Sequence, residues 1–343
     1  MILYELTAQG DVIQIDALPK NVYLSCAFGC FDGVHIGHVA LLDAAKSSAE
    51  ALEKKYRAAV SRADSDLIRV CPAVWTFASP VSIPWILSVR ERLAECGRNG
   101  VKYAVCREFD DVRSMSPRDF VFSLVKDARL IHGVCGYNFR FGKDRSGDAY
   151  ALEVHLRSAL SELSPASTLP LITEKARAVT VLDEVSALGA AVSSTRIRAL
   201  IAEGDMESVS VLLGRPYSLT GTVIPGNQLG RKLSKPTANL RYSPHQLVPK
   251  RGVYFTLCSL DGTDYPSVTN IGYRPTVNTD TSDITCETHL LDFSGSVYGK
   301  TVEIRFCHYA RGEISFPDLP SLANQIALDA SQANLYFTSP PKT

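Results

Sequence analysis

His35 and His38 stand three residues apart in Phe28-Gly29-Cys30-Phe31-Asp32-Gly33-Val34-His35-Ile36-Gly37-His38. At the start of a helix that spacing turns both imidazoles toward one side. Gly29, Gly33 and Gly37 let the backbone come close to a phosphate chain, and a helix N-terminus adds free amides and a favourable dipole. Two imidazole donors at such a place suit transfer of an adenylyl group. That reaction needs an aligned nucleophile and neutralised charge on the α-phosphate and the departing pyrophosphate. Phe31 and Asp32 belong to the same candidate nucleotide loop. The blander reading is a glycine-rich turn with a helix-capping histidine. A metal centre fits less well, because no third ligand accompanies the pair.

Three further constellations carry chemistry. Ser193-Ser194-Thr195-Arg196-Ile197-Arg198 precedes a helical stretch, where Ser194 and Thr195 can cap and Arg196 offers a planar fork for phosphate oxygens. Gly136 to Asp148 holds Asn138, Phe139, Phe141 and Arg145. Its aromatics can pack on a flat ring system, and Asn138 can pair with a polar ring edge. In the last third, Gly226 to Gly230 can give amides to phosphates, with Arg231 beside them. Thr237 and Asn239, in Pro236-Thr237-Ala238-Asn239, present hard oxygens suited to Mg²⁺. Glu287 lies in a strand-like run, where a carboxylate can take the proton of an attacking hydroxyl. Each also has a plain structural reading, as a cap, a turn or a solvated strand carboxylate.

The elements that must hold these residues change character along the chain. Up to about residue 200, strand-like and helix-like patterns alternate. Val22–Phe28, Ala73–Phe77, Lys102–Cys106 and Arg129–Gly136 read as strands; His38–Arg57 and Val89–Arg98 read as helices. Ser116 before Pro117 reads as a helix cap. Such alternation predicts a parallel sheet covered by helices, with the first constellation at a C-terminal strand end. Ala199–Leu213 reads as one joining helix. After residue 214, glycine, proline and threonine rise and strands shorten, as in SLTGTVI, GVYFTLCSL and KTVEIRF. This predicts a small antiparallel barrel, finished by one helix over Leu319–Phe337. The expected boundaries are 1–200, a helical link at 201–214, and 215–343.

Taken together these pieces resemble two known families. H-x-G-H after a strand, followed by S-T-R-x-R, resembles the HxGH nucleotidyltransferase superfamily. The Gly136–Asp148 segment resembles the flavin signature of bifunctional bacterial FAD synthetases. The run of Gly221-Thr222, Pro236–Asn239, Gly252-Val253-Tyr254, Asn270–Thr276, Glu287–Phe293 and Arg311-Gly312-Glu313 is similar to riboflavin kinase over about 130 residues. The resemblance implies a Rossmann-like α/β FMN adenylyltransferase domain followed by a β-barrel riboflavin kinase domain. It assigns Asn138 and the aromatics to the flavin, Thr237 and Asn239 to the metal–nucleotide site, and Glu287 to the general base. His35, His38 and Arg196 would serve adenylyl transfer. The implied substrates are ATP, riboflavin and FMN, with Mg²⁺ accompanying ATP and flavins as substrate and product.

Two departures from the family pattern are visible. Ala78-Ser79 replaces a usual Glu-Pro after Phe77, and Ser234-Lys235 replaces a glycine and an apolar residue before Pro236. The first keeps open a kinase with a degenerate adenylyltransferase domain. A non-catalytic flavin sensor is a further alternative, which retention of Glu287 and Thr237 opposes.

Composition excludes several other classes. Lys+Arg and Asp+Glu are equal at 36 each, so no general attraction to nucleic acid or anionic membrane is expected. No signal-peptide pattern opens the sequence and no apolar run is long enough to span a bilayer, which predicts a soluble cytoplasmic protein. Nine cysteines without a C-x-x-C pair argue against a zinc site or disulfide framework; Cys26, Cys106 and Cys135 are expected in the core. The sequence is compatible with a monomer or a homo-oligomer.

Overall fold

A computed structural model of the protein describes residues 1–59, 68–79, 84–163, 177–225, 238–273 and 284–338. The chain divides into two compact units, Met1–Ser194 and Thr195–Thr343.

The first unit is built on strands β1 (Ile2–Leu6), β2 (Val12–Ile15), β3 (Val22–Phe28), β4 (Arg69–Phe77), β5 (Tyr103–Arg107), β6 (Leu130–Gly136) and β7 (Val179–Leu182). They form one sheet in the order β2-β1-β5-β4-β3-β6-β7. Strands β3 to β7 pair in parallel. Helices α1 (Ile36–Ala59), α2 (Val89–Arg98), α4 (Pro117–Ala128) and α5 (Ala149–Leu163), with the short α3 (Phe109–Val112), make the connections. All seven residues of β3 are buried, which explains why it reads as an unbroken apolar run. The expected parallel sheet is therefore present, but the first fifteen residues add an antiparallel hairpin at its edge. Too few residues separate β1 from β2 for a crossover, so a tight turn, with Gly10 at φ 91°, is the available connection.

Local signals set the helix starts. Ser88 and Glu91 form a reciprocal capping box on α2. Ser116 Oγ accepts the Asp119 amide, with Pro117 in the first turn of α4. Cys26, Cys106 and Cys135 are buried core residues. Within the sheet, the His132 ring lies 3.1 Å from Ser25 Oγ and 3.2 Å from Thr180 Oγ1. Burial pushes its pKa down to about 4.

The second unit begins with α6 (Ser194–Glu203) and α7 (Met206–Leu213). The sequence pattern suggested one helix here. Gly204, at φ 85°, ends the first, and the Asp205 carboxylate caps the second through the Ser208 amide. Strands β10 (Tyr217–Ile224), β11 (Ala238–Arg241), β12 (Gly252–Leu260), β13 (Thr263–Tyr273), β14 (Ile284–Leu290) and β15 (Thr301–Arg311) follow. A two-stranded hairpin, β8 (Ser186–Ala187) with β9 (Ala190–Ala191), lies earlier in the chain. Among the described residues β10-β11-β14-β13-β12-β15 close an antiparallel barrel. Its interior carries a hydroxyl chain: Thr256 to Thr269 at 2.7 Å and Thr269 to Thr288 at 2.9 Å. The C-terminal helix, Leu319–Thr338, packs on the barrel. Arg311 makes a two-pronged pair with buried Asp329, at 3.1 and 2.7 Å, so its guanidinium is structural. No described helix is long and apolar enough to cross a membrane.

Candidate active sites

In the first unit, a cavity of about 370 Å³ opens where β3, β6 and β7 end, as expected for ligand sites of open α/β sheets. Gly29, His35, Gly37, His38, Asn138, Phe139 and Ser194 all line it. The two imidazoles are stacked, 3.6 Å between centroids and 12° between planes. His35 Nδ1 accepts the His38 amide at 3.2 Å. The histidine thus does cap the helix, and that bond places the proton of a neutral His35 ring on Nε2, leaving a donor for a phosphate oxygen. Gly37 is what the stack requires, since a β-carbon there would stand 3.2 Å from the His35 ring.

Three loop residues work from behind. The Phe31 ring is fully buried, 5.0 Å from that of His38, and its φ is 51°. Both Asp32 carboxylate oxygens are taken by the amides of Ile86, at 3.0 and 3.3 Å, and Leu87, at 3.1 Å. Gly33 supplies a turn at φ 85°. The Asp32 carbonyl receives the Ser194 hydroxyl at 2.8 Å, which ties the end of the unit to the histidine loop. Buried Arg92 donates to the carbonyls of Cys30 and Phe77, fixing the loop to β4. Thr195 and Arg196 open α6 and fall in the second unit.

The Gly136–Asp148 segment divides its labour. Asn138 and Phe139 face the cavity. Phe141 is buried, stacks on Phe139 at 5.5 Å and 15°, and pairs backbone to backbone with Gly147. A β-carbon on Gly147 would be 2.7 Å from the Phe141 ring, which accounts for that glycine. Arg145 is exposed and does not line the cavity. The lining also includes Tyr137, whose hydroxyl donates to Glu184 at 2.8 Å, together with Asp183 and Val185. The sequence reading did not single these out. Their position just past β6 and β7 was the available signal, because ligands gather at C-terminal strand ends. At the Ala78 departure, the strand end is regular, with the Ala78 amide donating to the Arg107 carbonyl at 2.9 Å.

In the second unit a cavity of about 350 Å³ lies against β11 and β14, lined by Asn239, Arg241, Tyr242, Thr285 and Cys286 among others. Asn239 is directly opposite Glu287 in the β11–β14 ladder. Asn239 is buried, and its Oδ1 has no hydrogen-bond partner among the described residues. A buried carbonyl oxygen without a donor is costly unless a cation or other ligand meets it. Glu287 is half-buried. Gly226, Gly230, Arg231 and Thr237, with Ser234 and Lys235, lie outside the described residues.

A riboflavin kinase family model matches residues 213–337, and an FAD synthetase model matches residues 19–180. The bifunctional riboflavin kinase/FMN adenylyltransferase of Pseudomonas fluorescens is 33% identical over 317 residues, 92% of this chain and 93% of that protein. The chain belongs to the bifunctional riboflavin kinase/FMN adenylyltransferase family. The member of this family from Listeria monocytogenes is 29% identical over 312 residues, 91% of either chain. A crystal structure described as a macrolide-efflux protein from Streptococcus pneumoniae superposes with a TM-score of 0.73 at 24% identity, covering 93% of this chain and 96% of that one. That likeness is one of fold. The two family models fall one in each compact unit and share no segment: the first match ends at 180 and the second begins at 213.

Proposed function

We propose that this chain converts riboflavin to FMN in its second unit and FMN to FAD in its first. Residues 215–343 carry the kinase, residues 1–200 the adenylyltransferase, and 201–214 the helical link between them. The observation that carries the reading is one chain bearing both family matches, with a stacked histidine pair at a strand end in one and an Asn239–Glu287 pair on a barrel in the other.

In adenylyl transfer, a phosphate oxygen of FMN attacks the α-phosphorus of ATP and the bond to pyrophosphate breaks. In this reading the Nε2 proton of His35, the imidazole of His38 and the first amides of α1 offset charge as it moves onto the leaving oxygens. Asn138 with Phe139 orients the flavin. In the kinase step, the 5′-hydroxyl of the ribityl chain attacks the γ-phosphorus, its proton passes to the Glu287 carboxylate, and ADP leaves. When bound, Mg²⁺ would supply charge neutralisation at the phosphates. Asn239 would be one of its ligands, through an oxygen that has no partner among the described residues, with Thr237 as the second. ATP as common co-substrate supports a cytoplasmic setting.

The test is product analysis after mixing the protein with riboflavin and MgATP. FMN followed by FAD is expected. Glu287→Gln should lower FMN formation by about 10²–10⁴-fold while added FMN is still adenylylated. His38→Ala should do the reverse, lowering FAD formation by about 10²-fold. FMN accumulating with no FAD from the wild type would leave a kinase with a silent first unit. No product at all would leave a flavin-binding protein.

A further inference from the structure

We propose that Glu184 is a positioning residue of the first site, holding the Tyr137 ring as the wall against which the isoalloxazine of FMN lies; this rests on the reading of the first unit as an FMN adenylyltransferase. Tyr137 stands one residue past β6, and Glu184 two residues past β7. The Tyr137 amide donates to the Leu182 carbonyl at 2.9 Å, which fixes its backbone at the strand end. Its hydroxyl donates to Glu184 Oε2 at 2.8 Å, and the other oxygen of that carboxylate accepts the Ser186 hydroxyl at 3.1 Å. Tyr137 and Glu184 both line the cavity. The tyrosine is thus held by its backbone and by its hydroxyl, on either side of the ring.

What is held in this way is an open aromatic face. Phe139, in the same cavity wall, spends its ring on Phe28 at 5.6 Å and Phe141 at 5.5 Å. Among the described residues no aromatic ring packs on Tyr137, which is 50% exposed. Two flat ring systems, isoalloxazine and adenine, must enter this unit. A ring fixed in advance, with its face open to a cavity, binds such a system at little cost in ordering. The hydrogen bond from Glu184 also pushes the Tyr137 pKa up, so the hydroxyl keeps the proton it donates.

Charge decides which end of the substrates this wall receives. FMN and ATP both bring phosphates, and a carboxylate on the cavity wall repels them. Asp183, beside Glu184, adds a second carboxylate to the lining. The phosphates therefore belong at the histidines and the start of α1, and the uncharged rings at the Glu184 side. Connectivity chooses between the two rings. Tyr137 adjoins Asn138 and Phe139, which face the same cavity and are read as the flavin contacts. A carboxylate that works against the phosphates of both substrates is retained here as the anchor of an aromatic wall.

The experiment is steady-state FAD formation from added FMN by the full-length protein, with a thermal scan of each variant as the folding control. Glu184→Ala frees the ring and should raise KM for FMN about 5-fold, the worth of one hydrogen bond. Its kcat and its KM for MgATP should stay within about 2-fold of wild type, the pattern of binding lost equally from ground and transition states. Tyr137→Phe loses only the tether and should match Glu184→Ala. Tyr137→Leu keeps bulk without a flat face and should raise KM for FMN about 10-fold. Glu184→Gln keeps an acceptor oxygen and should return KM to within about 2-fold of wild type. In the Tyr137→Leu background, Glu184→Ala should add nothing. A wild-type KM for FMN in Glu184→Ala, the same rise in Glu184→Gln, or additive losses in the double variant would overturn the proposal. A rise in KM for MgATP in place of FMN would give the wall to adenine and overturn it likewise. Absence of FAD formation by the wild type would instead remove the adenylyltransferase reading, and the proposal with it.

Discussion

A single methyl group on Gly221 reports on how tightly the kinase site depends on strand β11. An ideal β-carbon at this position would lie 2.2 Å from the Arg241 carbonyl oxygen, 2.8 Å from its carbon and 3.0 Å from Leu240 Cγ. Comfortable contacts between such atoms begin near 3.5 Å, so β11 must retreat by about 1 Å. That strand has four residues, and Asn239 lies two positions before Arg241 on it. Overpacking of this kind costs about 1–3 kcal/mol, which for a unit of this size corresponds to roughly 3–10 °C in Tm. A 1 Å displacement of a positioning group can cost about 10²-fold in rate. Gly221→Ala should therefore lower riboflavin phosphorylation by about that factor. FAD formation from supplied FMN should hold at the wild-type rate, because it belongs to the other unit. Coupled assays of the two reactions on one preparation, with a thermal scan, decide the matter. A lowered Tm with normal kinase activity would mean that the retreat of β11 does not reach Asn239, and the geometric reasoning would fail.

Gly37→Ala should separate activity from stability in the first unit. Alanine favours the helix start by up to about 1 kcal/mol, yet its β-carbon presses on the His35 ring; FAD formation should fall while Tm stays level or rises. For His132, burial depresses the pKa to about 4 from 6.5. The folded chain thus resists a proton that the unfolded chain accepts. The stability this group contributes at neutral pH is lost as pH falls from about 6.5 to about 4, by about 3 kcal/mol in all. Urea titrations at pH 7 and pH 4.5 should show that slope in the wild type and a shallower one in His132→Gln. A fragment covering residues 195–343 should fold and phosphorylate riboflavin, since the barrel, its closing helix and the Asn239–Glu287 pair all fall within it; an inactive but folded fragment would refute this.

Much of this architecture is legible from short-range chemistry. The central strand β3 reads as buried because all its residues are apolar or small, and α4 announces itself through Ser116-Pro117. The histidine pair reads from its spacing alone. What does not read is whatever depends on distant partners. Nothing near Asp32 says that its carboxylate serves the amides of Ile86 and Leu87. Nor does the Phe139-Arg140-Phe141 alternation say that one ring faces a cavity while the other is spent over Gly147. The split between α6 and α7 was written in Gly204-Asp205, but a turn of favourable apolar spacing on either side masks it. The facing of Asn239 and Glu287 depends on strand register, which pairs residues far apart in the sequence and is invisible to any local pattern.

The bond between the Ser194 hydroxyl and the Asp32 carbonyl spans 162 residues. During synthesis, a growing chain displays the histidine loop long before the residue that fastens it exists. At about 5–20 residues per second the interval is roughly 8–30 s. Strands β3 and β4 can pair in that time, and Arg92 with the Ile86 and Leu87 amides can hold the loop between β3 and α1 from one side, but its tie to Ser194 is missing until translation has passed the last residue of the first unit. A nascent chain arrested anywhere short of Ser194 therefore carries the histidine loop without its last tie, and the complete first site is a late acquisition on the ribosome, delayed almost to the point where the barrel begins to emerge.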